Sequence, residues 1–198
     1  MIASVVPRAD GIWRKALSGM VSGPVDFVTC RHALGVALRY PEPATIGADR
    51  LANACGGVAR YGTPLIVADF GTAVTFDVIT QRGYEGGIIA PGLPLVFDYL
   101  AEKTAKLPHL REANARGPWG RTTRQAMQLG ARWGYSGLVR AILHELKQNP
   151  KLRRSNVVLT GGHGRRIAAG LDKAVVVDPT LTLYGVGRIF ELNHGNPA

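Results

Sequence analysis

A chain of 198 residues with 46% hydrophobic residues and 25 glycines is long enough for one large domain or two small lobes, with a core that needs no disulfide staples. Its two cysteines, Cys30 and Cys55, have no CxxC spacing, which points to small core residues in a reducing compartment, and no apolar run reaches the roughly 18 to 20 residues of a membrane span. The formal net charge of +10 attracts anions, but the basic residues are scattered and bring no zinc finger, aromatic RNA-binding signature or basic heptad, so a cytoplasmic protein without nucleic-acid or membrane partners is expected.

Met1 to Val6 is a β-branched apolar run ended by Pro7 and reads as a buried strand. A short amphipathic helix follows over Ala9 to Met20, closed by Ser22-Gly23, and then a second strand over Val25 to Thr29. Pro41 and Pro43 oppose helix and leave residues 31–43 irregular; a helix begins near Gly47 and runs to Arg60. Three strands come next, Leu65 to Asp69, Ala73 to Ile79 and Tyr84 to Ala90, and their short connections imply antiparallel hairpins. After Pro91-Gly92 a helix covers Pro94 to Lys103, and a Gly/Pro/Trp loop leads to a long helix over Thr123 to Lys147, bent near Gly134 and Gly137. The last third alternates again: a strand over Asn156 to Thr160 entering Gly161-Gly162, a helix, a strand over Ala174 to Asp178, and a final helix over Leu181 to Leu192.

Four segments carry candidate chemistry. Asp69-Phe70-Gly71-Thr72-Ala73-Val74-Thr75-Phe76-Asp77 is a strand, a tight turn and a strand, in which glycine lets backbone N–H groups approach a phosphate and Asp69 and Asp77 can hold cations. A plain polar hairpin with two solvated aspartates is the alternative. Gly47-Ala48-Asp49-Arg50 opens a helix, so Asp49 is either an N-cap or a base for a substrate hydroxyl, with the Arg50 guanidinium beside it to hold a carboxylate. Gly86-Gly87-Ile88-Ile89-Ala90-Pro91-Gly92 and Leu159-Thr160-Gly161-Gly162 each run a strand into glycines. The five histidines show no metal-ligand spacing, and Trp13, Trp119 and Trp133 read as packing anchors, Trp119 being notable for its place beside Gly120-Arg121.

In this order and spacing the segments resemble the type III pantothenate kinases over essentially the whole chain, from Ala3-Ser4-Val5-Val6-Pro7 through Tyr40, GADR, DFGTAVTFD, GGIIAPGL, Leu107-Pro108, Gly120-Arg121-Thr122-Thr123 and LTGG to the terminal helix. The resemblance implies an α/β fold of ribonuclease H-like (actin-like ATPase) lobes, with residues 1–60 forming a partial first lobe and substrate segment and residues 61–198 the second lobe. It implies ATP-dependent phosphorylation of pantothenate in coenzyme A synthesis, with Mg2+ and a K+ or NH4+ ion, by a homodimer whose substrate pocket lies near the subunit interface.

Residue by residue, Asp49 matches the catalytic base, Gly47, Ala48 and Arg50 complete the substrate segment, and Tyr40 and Thr123 match pantothenate contacts. Asp69 matches the ligand of the monovalent cation, Gly71 and Thr72 the ATP-phosphate turn, and Gly161 and Gly162 the nucleotide-side glycines. Two departures stand out. Thr122 occupies a position where the family pattern has asparagine, and ASVVP follows Met1 and Ile2 where family members place an Asp-x-Gly-Asn-Thr phosphate turn and further strands upstream. The first lobe is therefore expected to be truncated, and a catalytically impaired pantothenate-binding remnant is the alternative function.

Overall fold

The computed structural model describes residues 1–21, 23, 25–171 and 175–195. It is an α/β structure built on one mixed five-stranded sheet, in the order β3-β2-β1-β4-β5. Strands β1 (Leu65–Phe70), β2 (Ala73–Thr80) and β3 (Gly83–Pro91) form the expected antiparallel meander. Strands β4 (Asn156–Thr160) and β5 (Val175–Val177) add in parallel beside β1. The expected start of β5 at Ala174 lies outside the described residues, as does Ser22 at the close of the first helix.

Alternation along β1 sorts its side chains between two cores, as the period-two geometry of a strand requires. Ile66, Ala68 and Phe70 face one layer, made by α3 (Leu93–Lys103) and α4 (Thr123–Gln148), where Phe97, Met127, Tyr135 and Val139 are buried. Leu65 and Val67 face the other layer, made by α2 (Ala48–Tyr61) and α6 (Leu181–His194), where Leu51, Ala52, Leu181 and Ile189 are buried. Helix α4 runs continuously through Gly134 and Gly137, and the five-residue α5 (Gly164–Ala168) follows β4.

Helices α2 and α6 cross at glycines. A side chain on Gly185 would overlap the Ala52 carbonyl, and one on Gly56 would press on the Gly185 backbone, so only glycine lets the two helices touch main chain to main chain. Helix α2 leads into β1 through Gly62, Thr63 and Pro64, so its N-terminal turn lies beside the carboxyl end of β1.

The N-terminal third departs from expectation. Helix α1 begins at Pro7, with proline in the first turn, and buries no side chain. The two strands expected over residues 1–6 and 25–29 reduce to a single parallel bridge between Ile2 and Phe27, closed by Ile2 N–H to Asp26 O at 2.9 Å and Val28 N–H to Ile2 O at 2.8 Å. Apolar runs become strands only where a neighbour supplies a ladder, and these two segments pair with each other over one step alone. The tryptophans expected as packing anchors are surface residues: Trp13, Trp119 and Trp133 are 51%, 66% and 51% exposed. Cys55 is buried and Cys30 half-buried, both as free thiols. Among the described residues, no helix is long and apolar enough to cross a membrane.

Candidate active site

Gly47 stands at the N-cap of α2, and Asp49 lies in the first turn, where the exposed N–H groups favour a negative charge. The Asp49 carboxylate curls back against Gly47 and accepts from the Arg50 N–H at 2.8 Å; a side chain at Gly47 would overlap it. One turn along the same helix face, Asn53 donates its Nδ2–H to Asp69 Oδ2 at 2.7 Å. Asn53 thus meets the carboxyl end of β1, with Asp49 one helical turn before it and near enough for its charge to act on Asp69. Burial raises the Asp69 pKa above the usual carboxylate range; the Asn53 hydrogen bond opposes the rise and the nearby Asp49 charge adds to it.

Three glycine turns close around that point. Gly161 has φ of +81°, and a Cβ there would overlap Asp69 Oδ1 and the Phe70 backbone. The next turn is tied to β1 by the His163 N–H to Phe70 O at 3.3 Å, while Gly162 faces open space. On the other side, Gly92 donates its N–H to Thr72 O at 3.0 Å and sits so close to the Gly71 and Thr72 carbonyls that no side chain fits. Gly71 and Thr72 themselves are exposed.

Arg50, next to Asp49, turns inward. Its Nε–H and Nη2–H both donate to Asp77 Oδ1 at 2.7 Å, and the Tyr84 hydroxyl donates to the same oxygen at 2.8 Å. Asp77, read from the sequence as a cation ligand or a solvated residue, is instead fully buried as the counter-charge of Arg50. Burial pushes its pKa up to about 6, while Arg50 and Tyr84 pull it down, so the carboxylate remains ionised at neutral pH beside a guanidinium that cannot lose its proton.

Gly87, opposite Asp77 on β3, leaves the space that the Arg50 guanidinium fills. Gly86, at φ of +131°, faces the Tyr40 ring. Tyr40 reaches this place because residues 37–39 bridge to the start of β3, through Tyr84 N–H to Ala37 O and Arg39 N–H to Tyr84 O, both at 2.8 Å. Its ring meets Tyr84 edge-on, with centroids 6.1 Å apart. The glycine pair therefore serves Tyr40 and Arg50 rather than a turn.

Of the predicted residues, the structure gathers Ala48, Asp49 and Arg50 in the first turn of α2 with Gly47 at its N-cap, Tyr40 packed against β3, and Asp69, Gly71, Thr72, Gly161 and Gly162 at the carboxyl ends of β1 and β4. Thr123 is elsewhere. It is exposed in the first turn of α4, in the opposite helical layer, where Thr122 caps the helix by accepting from the Gln125 N–H at 3.2 Å. The substitution at Thr122 has that local role. A cavity of about 550 Å3 between α4 and β5, lined by Arg140, His144 and Leu171 among others, includes none of the predicted residues; the convergence of Asp49, Asp69 and the glycine turns identifies the site better than concavity does.

The residues present fit a hard cation. On the face of the sheet toward α2, Asp69 pairs with Thr160 on one side and Thr75 on the other, and both threonine hydroxyls are buried without a partner. One carboxylate flanked by neutral hydroxyl oxygens is a donor set of the kind that hard cations take. The sequence singled out Thr75 as a phosphate donor and Asp77 as a cation ligand, but gave no role to Asn53, Tyr84, Thr160 or Thr182, of which Thr160 alone lay within a motif.

The family model for type III pantothenate kinase matches residues 1–145. The type III pantothenate kinase of Akkermansia muciniphila is 46% identical over 194 residues, covering 98% of this chain and 78% of that protein. The enzymes of Persephonella marina and Methylacidiphilum infernorum are 42% and 39% identical, with 76% and 70% of their lengths covered. A crystal structure of a Baf family protein from Campylobacter jejuni superposes with a TM-score of 0.61 at 20% identity, over 94% of this chain and 79% of that one, a likeness of fold alone. This chain belongs to the type III pantothenate kinase family.

Proposed function

We propose that this chain transfers the γ-phosphoryl group of ATP to the hydroxyl of pantothenate, forming 4'-phosphopantothenate at the opening of coenzyme A synthesis. One observation carries the reading: Asp49 lies one helical turn before Asn53, which bonds Asp69, and its charge reaches Asp69 at the carboxyl end of β1, beside the parallel β4, where ligands of open α/β sheets bind. Phosphoryl transfer demands chiefly positioning and charge stabilisation, and this geometry offers both.

In this reading Asp49 accepts the proton of the substrate hydroxyl as it attacks. Arg50, held rigid by Asp77, keeps donors for the pantothenate carboxylate; Tyr40, Gly47 and Ala48 shape the pocket beside it. The Thr72 backbone N–H and hydroxyl, with backbone N–H groups of the Gly161-Gly162 turn, face the ATP phosphates, while the Gly71 N–H closes the bend by donating to Ala73 O at 3.0 Å. Asp69, with Thr75 and Thr160, holds a K+ or NH4+ ion, whose charge offsets that of the phosphates, and Mg2+ enters on the ATP itself.

The sheet order β3-β2-β1-β4-β5, with β2 alone antiparallel to its neighbours, supports a ribonuclease H-like, actin-like lobe over residues 61–198, with residues 1–60 supplying a partial first lobe and the substrate segment. The same proposal places the enzyme in the cytoplasm as a homodimer. Exposed Ile89, Leu95, Tyr99 and Trp133 supply apolar surface for a second copy, and the remoteness of Thr123 from Asp49 fits a threonine that reaches a site near the subunit interface.

The test is Asp49→Asn in the full chain. It is expected to lose roughly 10²- to 10⁴-fold in turnover while pantothenate still binds by calorimetry. Turnover near that of the parent would remove Asp49 from its role, and pantothenate binding without Mg-ATP binding in the parent chain would favour a non-catalytic binding protein.

A further inference from the structure

Asp69 has two carboxylate oxygens in different surroundings. Oδ2 accepts from Asn53 Nδ2 at 2.7 Å, whereas Oδ1 lies against Gly161, where no side chain can intrude. Asn53 is itself fully buried, and its Oδ1 accepts from the Thr182 hydroxyl of α6 at 2.7 Å. The amide can face only one way: turned over, its oxygen would confront the Asp69 carboxylate, acceptor against acceptor. Thr182 and Gly185 on α6 are three residues apart, as are Asn53 and Gly56 on α2, so the close glycine crossing of the two helices sets the hydroxyl within reach of the amide.

We propose that Asn53 is a positioning residue for the kinase reaction: held by Thr182, it occupies Oδ2 of Asp69 and fixes the carboxylate so that Oδ1, against Gly161 and on a strand position flanked by Thr75 and Thr160, is the oxygen left for the monovalent cation. The inference rests on the reading of Asp69 as that ion's ligand. It gives the C-terminal helix a part in the site through a contact spanning 129 residues of sequence. Without the amide the carboxylate rotates freely about its last torsion and its cradle of neutral oxygens loses register with it.

The experiment compares the full-length parent with Thr182→Val, which keeps the shape and removes the hydroxyl, with Thr182→Ser, which restores it, and with Asn53→Ala. The readout is the KCl concentration giving half of the potassium-dependent rise in melting temperature, alongside KM for pantothenate. Loss of a hydrogen bond to a charged group is expected to raise that concentration about tenfold in Asn53→Ala and by a smaller factor, about threefold, in Thr182→Val. Thr182→Ser should match the parent, and KM for pantothenate should stay within about twofold. An unchanged KCl midpoint in Thr182→Val and in folded Asn53→Ala overturns the role of Asn53. Asp69→Asn separates the two levels: if its melting temperature still rises with KCl as in the parent, the cation assignment itself falls and the inference with it. If Asp69→Asn loses the response while the other variants keep the parental midpoint, only the inference fails.

Discussion

Arg50 Nε lies 2.7 Å from Asp77 Oδ1, across 27 residues of sequence, and this buried ion pair ties the first turn of α2 to the middle of β2. The residue beside the proposed base is thereby anchored in the sheet. Two further contacts reinforce the anchor, the Tyr84 hydroxyl on the same oxygen and the Tyr84 ring 5.8 Å from the guanidinium.

Removing one partner leaves the other charged and buried, so Asp77→Ala is expected to cost about 3 to 5 kcal/mol of stability, measured by urea unfolding. Asp77→Asn keeps the shape and should cost less while raising KM for pantothenate, because Arg50 is then held by neutral contacts only. Parental stability in Asp77→Ala would show that the pair carries no structural weight.

The pH dependence follows from the Asp77 pKa, raised by burial from 3.8 to about 6. Between about pH 4 and pH 6 the native chain binds a proton that the unfolded chain has already released, so this group's contribution to stability falls as pH rises through that window. Protonation below about pH 6 also takes the counter-charge from Arg50. KM for pantothenate should therefore climb as pH falls through about 6 in the parent and should lack that limb in Asp77→Asn; a parental pH profile in the variant would contradict this.

Gly161→Ala must place a methyl group against Asp69 Oδ1 and the Phe70 backbone at φ of +81°. A loss of roughly 1 to 3 kcal/mol is expected, together with a fall in turnover. Gly162→Ala meets nothing within 4 Å and should melt close to the parent. Equal melting temperatures for the two variants would argue against the cradle.

A matching pair tests the helix crossing. Gly185→Ala would force α6 away from the Ala52 carbonyl and should destabilise the chain, whereas Gly187→Ala, in the same helix with open space around it, should stabilise it by about 0.5 to 1 kcal/mol through helix propensity. Thermal unfolding of both variants decides the matter, and equal shifts would mean that the glycines are interchangeable.

The meander β1 to β3, helices α2, α3, α4 and α6, and strand β4 were all legible in the chain, because hydrophobic periodicity and glycine or proline boundaries are local signals. The glycine motifs and Asp49 stood out for the same reason, each lying within a few consecutive residues. The segments 1–6 and 25–29 carried the same apolar signal but form only one bridge, since a strand depends on a partner that local sequence does not specify. Asp77 looked like one half of a cation site; only the folded sheet shows it facing Arg50 from α2, with Gly87 making the room. Asn53 carried no signal at all. Its place between Asp69 and Thr182 is fixed by packing of helices whose residues are far apart in the chain, and long-range packing of that kind is decided by the tertiary structure alone.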